Sequence, residues 1–262
     1  MSQRLASYWS GKSVLITGAS SGLGAAVTEA LAPYNIKFGL LSRRAAPMEE
    51  LAAKLAHTGS TFWIRACDVR EREQVVAAVN AFHQNAGRLD AVWVNSGVSL
   101  DTSFRRWTWE NADALLNTNL HGAIYTTIAS LQIMAPQKSG TIIGIGSAAS
   151  MRGLPYRSLY SLSKISLAYF LESLAVELPD IQFTMIHPGF VDTPINRGNP
   201  RRFWLLSPPQ AARLMITAVA KRKHLYIYPW RMSLLYRLVR MAPVALYVNA
   251  ARKLMHLSKP AR

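Results

Sequence analysis

Cysteine is nearly absent from this sequence, and metal-binding patterns are missing. Cys67 is the single cysteine, which excludes an internal disulfide and a cysteine-based metal cluster. Because Cys67 lies in an apolar stretch, we expect a small buried side chain rather than a reactive thiol. The histidines lack the spacing of metal ligands, so we predict no metal site and a structural role for His187. The six histidines are His57, His83, His121, His187, His224 and His256.

Long apolar runs are also missing, and we expect no N-terminal leader. No run approaches the roughly 20 apolar residues that cross a bilayer. The first strand pattern begins near Ser13, which leaves no room for a signal peptide. Together with the lone cysteine, these features favour a cytoplasmic protein, with peripheral membrane attachment as an open alternative.

Acidic residues are absent from the C-terminal quarter of the chain. The net charge is +16, and residues 193–262 contain 14 of the 30 Lys and Arg residues but none of the 14 acidic residues. Two amphipathic segments follow one another here, 232–242 and 244–254, separated by Pro243. In the first segment we expect an apolar face of Leu234, Leu235, Leu238, Val239 and Met241, with Ser233, Arg237 and Arg240 opposite.

This basic segment allows several partners. It can lie on an anionic membrane surface, attract an acidic carrier protein or acyl-CoA, or pack on the domain or on a second subunit. No recognition motif for nucleic acid accompanies the charge, and we predict no nucleic-acid partner.

Short β-branched runs alternate with helical patterns along most of the chain. This alternation predicts βαβ units and a parallel sheet, hence one doubly wound α/β domain of the Rossmann type over residues 1–229, with a basic amphipathic extension over 230–262. The predicted strands are 13–17, 36–41, 61–66, 91–94, 141–145, 182–186 and 225–228. The predicted helices are 22–32, 47–57, 71–85, 112–134, 160–177 and 208–221.

A glycine-rich turn joins the first strand to the first helix. Glycines in this position let the backbone turn tightly and approach a pyrophosphate closely, and the helix N-terminus offers free N–H groups to that anion. The motif is Gly18, Ser20, Ser21, Gly22, Leu23 and Gly24, preceded by Thr17.

The end of the second strand predicts which dinucleotide binds. An acid stands there in enzymes that bond the ribose 2′-hydroxyl of NAD, whereas this chain has Ser42, Arg43 and Arg44. A guanidinium matches a phosphate bidentately. We therefore predict NADP(H), with Arg43 and Ser20 at the 2′-phosphate; Arg44 either joins this site or is an ordinary solvated charge.

These motifs resemble the single-domain branch of the short-chain dehydrogenase/reductase family over residues 12–193. The resemblance implies that Asp68 and Val69 hold the adenine, that Asn95 and Gly97 belong to the cofactor site, and that a proline-glycine motif lines the nicotinamide. That last motif comprises Pro188, Gly189, Val191 and Thr193. The resemblance also implies a homodimer or homotetramer.

Tyr160 and Lys164 lie four residues apart, on one face of a predicted helix. A nearby cation favours the phenolate, so we expect Lys164 to lower the pKa of Tyr160, which then exchanges a proton with a carbonyl or alcohol oxygen. The family resemblance adds Ser147, which polarises the substrate oxygen, and Asn119, which holds a water that relays protons to Lys164. Both Tyr160 and Lys164 are also expected to contact the cofactor.

Two glycines depart from the family pattern. Gly146 replaces a serine that the family often has before Ser147, and Gly144 lies within the fifth strand. Glycine in a strand weakens packing or admits a close neighbour, so we expect these two positions to widen the pocket floor.

The residues expected around the substrate are mostly apolar, which suits an apolar substrate. They are Met151, Leu154, Pro155, Tyr156, Phe190, Ile195, Phe203, Trp204, Leu205 and Leu206. The sequence thus predicts an NADPH-dependent reductase of a ketone on an apolar, lipid-like skeleton. The alternatives are a 3-oxoacyl reductase acting on carrier- or CoA-linked chains and, from another class, a non-catalytic dinucleotide-sensing or membrane-associated scaffold protein.

Overall fold

The computed structural model describes residues 3–196 and 202–257. The strands are β1 (Ser13–Thr17), β2 (Lys37–Ser42), β3 (Thr61–Ala66), β4 (Ala91–Val94), β5 (Gly140–Ile145), β6 (Ile181–Pro188) and β7 (Leu225–Tyr228). The helices are α1 (Gln3–Trp9), α2 (Gly22–Leu31), α3 (Ala46–Leu55), α4 (Arg72–Ala86), α5 (Trp109–Leu116), α6 (Gly122–Gln137), α7 (Ser158–Glu177), α8 (Pro208–Ala220), α9 (Trp230–Met241) and α10 (Val244–Leu257).

All neighbouring strands pair in parallel, in the order β3-β2-β1-β4-β5-β6-β7. The predicted Rossmann-type sheet, a single domain with a basic C-terminal extension, is therefore confirmed. The chain reverses its direction of winding between β1 and β4, and in such sheets ligands bind at the carboxyl ends of the strands beside that reversal. The glycine-rich turn after β1 and the motif after β4 meet there.

Apolar side chains fill both faces of the sheet, because its central strands are buried between two helical layers. One layer consists of α1, α2, α3 and α8. The other layer consists of α4, α6 and α7. Cys67 is buried in the second layer, as predicted, and burial raises the pKa of its thiol to about 11.

Helix α1 was not predicted from the sequence. It has seven residues, too few for a clear helical period, yet Trp9 is fully buried against Trp93 and donates a hydrogen bond from Nε1 to the Ile216 carbonyl oxygen at 3.2 Å. Tertiary packing of one large side chain thus holds this helix in place.

The prediction of one uninterrupted α-helix over 112–134 is wrong. Helix α5 ends at Leu116, a single π-helical turn follows at Asn117–His121, and α6 begins at Gly122. A π turn inserts a residue into the helix and is frequent at functional sites. Here it turns the side chain of Asn119 toward the loop after β4.

The predicted apolar face of the C-terminal helix is also wrong in part. Helix α9 packs on the domain through Met232 and Tyr236, with Leu235 alongside, against Ala148 and Ile227. The face that packs is therefore rotated from the predicted one, and Leu234, Leu238 and Met241 are exposed instead. Arg240, expected to face solvent alone, donates hydrogen bonds to the hydroxyls of Tyr236 and Tyr169. Within the described residues, no helix combines the length and apolarity needed to cross a bilayer.

Candidate active site

The glycine-rich turn after β1 is tightly folded and ends on an uncapped helix. Gly18 and Gly22 adopt φ values of +68° and +59°, which residues other than glycine rarely adopt. A Cβ on Gly24 would lie 2.8 Å from the amide nitrogen of Asn95. Ser21 makes no side-chain capping bond at the start of α2, so backbone N–H groups of this turn can bind an anion.

Asn95 holds this turn in place from the neighbouring strand end. Its side-chain nitrogen donates hydrogen bonds to the carbonyl oxygens of Thr17 (2.9 Å) and Gly18 (3.3 Å), and its backbone N–H donates to the Thr17 hydroxyl at 3.0 Å. Asn95 therefore acts on the cofactor site through the shape of the loop.

At the end of β2, three predicted residues lie together. Ser42 donates a hydrogen bond to the Ser20 hydroxyl at 2.8 Å, which joins the β2 end to the glycine-rich turn. Arg43 and Arg44 are exposed, and in the described part of the chain neither guanidinium forms an ion pair. The edge thus presents two hydroxyls and two cations.

The motif after β3, which contains Asp68 and Val69, lies next to the end of β2. The Asp68 carboxylate forms a bidentate hydrogen-bonded pair with the Arg70 guanidinium, 2.6 Å at its shortest. That pair holds the pKa of Asp68 below its usual value. A Cβ on Gly122 would lie 2.8 Å from Val69 Cγ2, so the start of α6 packs directly on Val69.

Asn119, Gly97 and Lys164 meet in a buried cluster. The Asn119 amide binds the Val98 backbone twice, accepting from N–H at 2.7 Å and donating to the carbonyl oxygen at 2.9 Å. A Cβ on Gly97 would lie 3.3 Å from both Asn119 Oδ1 and Lys164 Nζ. The ammonium donates a hydrogen bond to the Ile145 carbonyl oxygen at 2.9 Å. The π turn therefore places Asn119 beside Lys164, as the sequence predicts.

Tyr160 and Ser147 complete the candidate catalytic group, because the Ser147 hydroxyl lies close enough to lower the pKa of Tyr160. The expectation that Lys164 lowers the pKa of Tyr160 is wrong. Burial raises the pKa of Tyr160 and outweighs the lowering by Ser147 and Arg157. The Lys164 ammonium lies 5.8 Å from the ring centroid and bonds a carbonyl instead. Tyr160 is thus held in its protonated form, which suits a proton donor.

The pKa of Lys164 is shifted, and this shift predicts that the stability of the protein depends on pH. Burial lowers the pKa of Lys164 from 10.5 to about 8, so between pH 8 and 10.5 the unfolded chain binds one more proton than the folded chain. The free energy of unfolding therefore rises with pH in this window. Compared with Lys164→Met, the wild type should gain about 3 kcal/mol between pH 7 and 11 at about 1.4 kcal/mol per pKa unit. Urea denaturation of both proteins across this range measures the difference, and parallel curves would contradict a buried ammonium.

The two unusual glycines, Gly144 within β5 and Gly146 directly after it, do not widen the pocket floor as expected. A Cβ on Gly146 would lie 2.6 Å from Met185 Cε and 2.7 Å from His187 Cε1, and one on Gly144 would lie 2.9 Å from Met185 Sδ. Neighbouring side chains fill the space that the missing serine and its Cβ would occupy. Gly146 is required because the imidazole of His187 packs against its backbone.

His187 contacts the backbone of Ser147, the candidate catalytic serine. The Ser147 backbone N–H donates to His187 Nδ1 at 3.2 Å, and the ring stacks on Tyr236 with centroids 5.3 Å apart. Burial, followed by Lys164 and Arg240, lowers the pKa of His187 to about 3. The imidazole is therefore neutral and accepts at Nδ1, in keeping with the structural role predicted for it.

Restoring the family's serine at this position should harm the protein. Gly146→Ser must displace the His187 ring and with it the Ser147 backbone, and overpacking of this kind costs about 1–3 kcal/mol of the free energy of unfolding. We expect a matching fall in melting temperature and a lower kcat. Gly153→Ser is the control, because nothing lies within 4 Å of a Cβ there. Equal stability of the two variants would contradict the packing account, and His187→Ala in the Gly146→Ser background should recover part of the loss.

The loop after β6 closes over the glycine-rich turn. The Gly189 N–H donates to the Tyr228 carbonyl oxygen at 2.7 Å, which ties the segment that begins at Pro188 to β7. Val191 pairs with Leu206. Thr193 lies across from Gly22, 3.6 Å from where a Cβ would stand. The proline-glycine motif thus reaches the cofactor site from the far side.

Three residues around Ser147 were not singled out as functional in the sequence. Ser150 donates to the Ser147 carbonyl oxygen at 2.7 Å and lies 3.3 Å from the Tyr236 hydroxyl. The Arg152 guanidinium binds the carbonyl oxygens at the C-terminal end of α9. The contacts of Ser150 and Arg152 with α9 join residues some 90 positions apart. No sequence motif marks them, and only the packing of α9 on the domain reveals them.

The predicted substrate-side residues surround the mouth of this site unevenly. Phe190, Phe203 and Trp204 pack edge to face, with centroids 5.0 Å apart in each pair, while Tyr156 and Ile195 are exposed. Arg157 hydrogen-bonds the Ser99 hydroxyl and so joins the loops after β4 and β5. A separate cleft of about 730 Å³ between α1, α2 and α8 shares no residue with the catalytic group.

The sequence of this chain is similar to those of known proteins. The short chain dehydrogenase family model matches residues 12–202. An uncharacterized oxidoreductase of Myxococcus xanthus is 32% identical over 93% of this chain and 97% of its own length.

Two solved structures extend the likeness to the whole fold. An alcohol dehydrogenase of the archaeon Thermococcus sibiricus, complexed with 5-hydroxy-NADP, is 25% identical with a TM-score of 0.76, covering 83% of this chain and 94% of that one. The NADPH-dependent 3-quinuclidinone reductase of Rhodotorula rubra is 26% identical with a TM-score of 0.77, covering 87% and 93%. The chain belongs to the short-chain dehydrogenase/reductase family, and it is an oxidoreductase acting on CH–OH or C=O groups.

Proposed function

We propose that this protein is an NADPH-dependent reductase of ketones carried on an apolar skeleton. The observation that carries the proposal is the convergence of Ser147, Tyr160, Lys164 and Asn119 at one point, at the carboxyl ends of β4 and β5, beside the glycine-rich turn. A scaffold that had lost catalysis would have no need of all four.

The cofactor site fits a nicotinamide dinucleotide. The uncapped start of α2 suits a pyrophosphate, and a Cβ on Gly97 would make tight contacts of 3.3 Å with Asn119 and Lys164. Lys164 and Tyr160 would hold the nicotinamide ribose, and the loop of Gly189 and Thr193 would hold the ring. When bound, the dinucleotide supplies the hydride.

The chain's own residues then handle the proton. Ser147 donates a hydrogen bond to the substrate oxygen and fixes it near Tyr160, and such a donor stabilises the charge that develops on that oxygen. Tyr160 gives its phenolic proton to the same oxygen. The raised pKa of Tyr160 keeps that proton in place until it is needed. Lys164, with its ammonium held against the Ile145 carbonyl oxygen, positions the proposed proton relay through Asn119 from which the Tyr160 phenolate regains its proton.

NADPH is preferred over NADH in this proposal because of the β2 edge. Arg43 and the hydroxyls of Ser20 and Ser42 form a cationic, hydrogen-bonding site in the position where an acid would select NAD. Of the two structures described above, one is complexed with 5-hydroxy-NADP and the other is named NADPH-dependent, whereas a further structure of the same fold is complexed with NAD. NADPH in turn favours reduction as the direction.

The substrate is assigned to the apolar class from the composition of the mouth. Exposed aromatic and aliphatic side chains border it, whereas acidic residues are absent from the chain after Asp192. A pocket lined in this way binds apolar skeletons and orients them by a few polar groups.

Oxidation of NADPH against a panel of ketones tests this assignment. The panel contains short polar ketones, long-chain ketones, ketosteroids, and 3-oxoacyl chains linked to CoA and to a carrier protein. We expect turnover to be confined to the long-chain and polycyclic ketones. Turnover confined to the linked 3-oxoacyl chains would replace the substrate class, and tight NADPH binding without any turnover would favour a sensor.

A further inference from the structure

Helix α9 carries two apolar faces, of which only one packs on the domain. Met232 and Tyr236 are buried. On the opposite side, four apolar side chains are exposed within an arc of about 80°, at about 100° per residue. They are Trp230 (71% exposed), Leu234 (54%), Leu238 (60%) and Met241 (82%). We call these four residues the outer stripe.

Basic residues border the outer stripe on both sides. Arg231 and Arg237 are exposed and lie next to it on the helical wheel, one on each flank. Trp204 and Leu205 line a small cleft together with Trp230, which extends the apolar surface toward the loop after β6. The surface is thus apolar along its centre and cationic at its edges.

Helix α10 continues the same pattern. Leu246 and Leu254 are exposed and lie about 80° apart around the helix, at about 100° per residue. Lys253 is exposed next to Leu246, and Arg252 is exposed on a different side. Tyr247 anchors the helix by donating a hydrogen bond to the Gly153 carbonyl oxygen at 2.9 Å. Helix α10 therefore adds exposed apolar and basic side chains to those of α9.

We propose that the outer stripe, with the exposed side of α10, binds the surface of an anionic lipid bilayer. An amphipathic helix that lies in a membrane interface buries an apolar face and places Lys and Arg beside anionic headgroups. Trp and Arg at the borders of the apolar face suit that position. The charge decides the occupant, since residues 193–262 carry 14 basic residues and no acid.

A second copy of the chain fits this surface less well. Two copies meeting through the outer stripe would bring Arg231 and Arg237 of each against a surface without an acid, and like charges in contact oppose association. A bilayer that contains anionic lipid supplies the missing negative charge at every point of the surface.

Membrane contact would also deliver an apolar substrate to the active site. Arg152 binds the end of α9, and Ser150 contacts Tyr236. Both lie in the loop that directly follows Ser147, so the helices on the bilayer are built onto the catalytic loop. This consequence rests on the proposed function, whereas the binding itself does not.

Co-sedimentation with vesicles tests the surface. The full-length protein is mixed with vesicles of phosphatidylcholine alone or of phosphatidylcholine with phosphatidylglycerol. We expect binding only to the anionic vesicles, weakened by salt. Leu238→Glu should lower the affinity by about tenfold, since a charge replaces a leucine that the bilayer would bury. Arg231→Glu with Arg237→Glu should lower it by about thirtyfold or more. Absence of binding to anionic vesicles, or equal binding to neutral ones, would overturn the proposal.

Matched controls make the result specific to this surface. Val176→Glu changes a residue on α7 that is 82% exposed, and Arg213→Glu with Lys221→Glu removes two basic residues from the separate cleft. Both should bind anionic vesicles within about twofold of the wild type, allowing for a general charge effect. If Leu238→Glu instead converts a dimer to a monomer in light scattering and leaves vesicle binding intact, the outer stripe belongs to a second copy. Tyr160→Phe should bind vesicles like the wild type, so loss of the reductase and loss of membrane binding remain distinguishable.

Discussion

Replacing Tyr160 with phenylalanine is expected to lower kcat by about 10²–10⁴-fold, the contribution of a positioned general acid. The side chain keeps its ring and its packing but loses the one proton that can reach the substrate oxygen. Burial raises the pKa of Tyr160, so the wild type should keep this proton through neutral pH. Stopped-flow or steady-state oxidation of NADPH with the best ketone measures the loss.

Cofactor affinity separates a chemical effect from a structural one. We expect the Kd for NADPH of Tyr160→Phe, measured by quenching of tryptophan fluorescence, to stay within about tenfold of the wild type, because one lost hydrogen bond contributes about 0.5–1.5 kcal/mol. Tyr169→Phe is the matched control, since Tyr169 lies on the same helix, α7, and is exposed. If Tyr160→Phe keeps its kcat, or if Tyr169→Phe loses as much, Tyr160 is not the proton donor.

Replacing Arg43 with aspartate should raise the Kd for NADPH by about 10–100-fold, the worth of a charge-assisted hydrogen bond to the 2′-phosphate. The new carboxylate repels that phosphate. It also stands where an acid bonds the free 2′-hydroxyl of NADH, so the Kd for NADH should fall. Titration of both dinucleotides against both proteins gives four constants, and their ratio reports the preference directly.

Two controls accompany the Arg43→Asp experiment. Arg213→Asp removes an equal charge from α8, at the cleft that shares no residue with the site, and should leave the ratio unchanged. Arg44→Asp decides whether its neighbour takes part, because both guanidinium groups are exposed at the same edge. An unchanged Kd for NADPH in Arg43→Asp, or equal affinities of the wild type for the two dinucleotides, would contradict the NADP assignment.

The sheet could be predicted from sequence because its central strands are buried on both faces and its edge strands are rich in β-branched and aromatic residues. Such strands appear as short runs of Val, Ile and Leu between helical patterns, and four of them, β1, β3, β4 and β7, begin and end at the predicted residues. The catalytic and cofactor residues could be placed because each follows directly on a strand end or shares a helix face. Parallel topology then brings all strand ends to one edge.

Features that depend on long-range packing could not be predicted in this way. The π turn at Asn117–His121 exists because the Asn119 amide fits the Val98 backbone, a contact that helical periodicity does not encode. Gly146 looked like an opening in the pocket, but the His187 ring from β6 fills it. The pKa of Tyr160 follows from burial rather than from the spacing to Lys164.

The C-terminal helices show the same limit of sequence patterns. A wheel of α9 marks many apolar positions but does not say which of them meet the domain. Tyr236 decides the orientation, because its hydroxyl reaches Ser150 and its ring stacks on His187. With that side buried, the outer stripe is left facing outward.

Transfer of deuterium from NADPH that carries deuterium at both C4 positions of the nicotinamide tests the central claim most directly. The labelled cofactor is incubated with the best apolar ketone and either the wild type or Tyr160→Phe, and the alcohol is analysed by mass spectrometry. The account predicts one deuterium on the carbinol carbon with the wild type, and product at least about 100-fold slower with the variant. Product without the label, or a protein that binds NADPH tightly and reduces no ketone of any class, would contradict it.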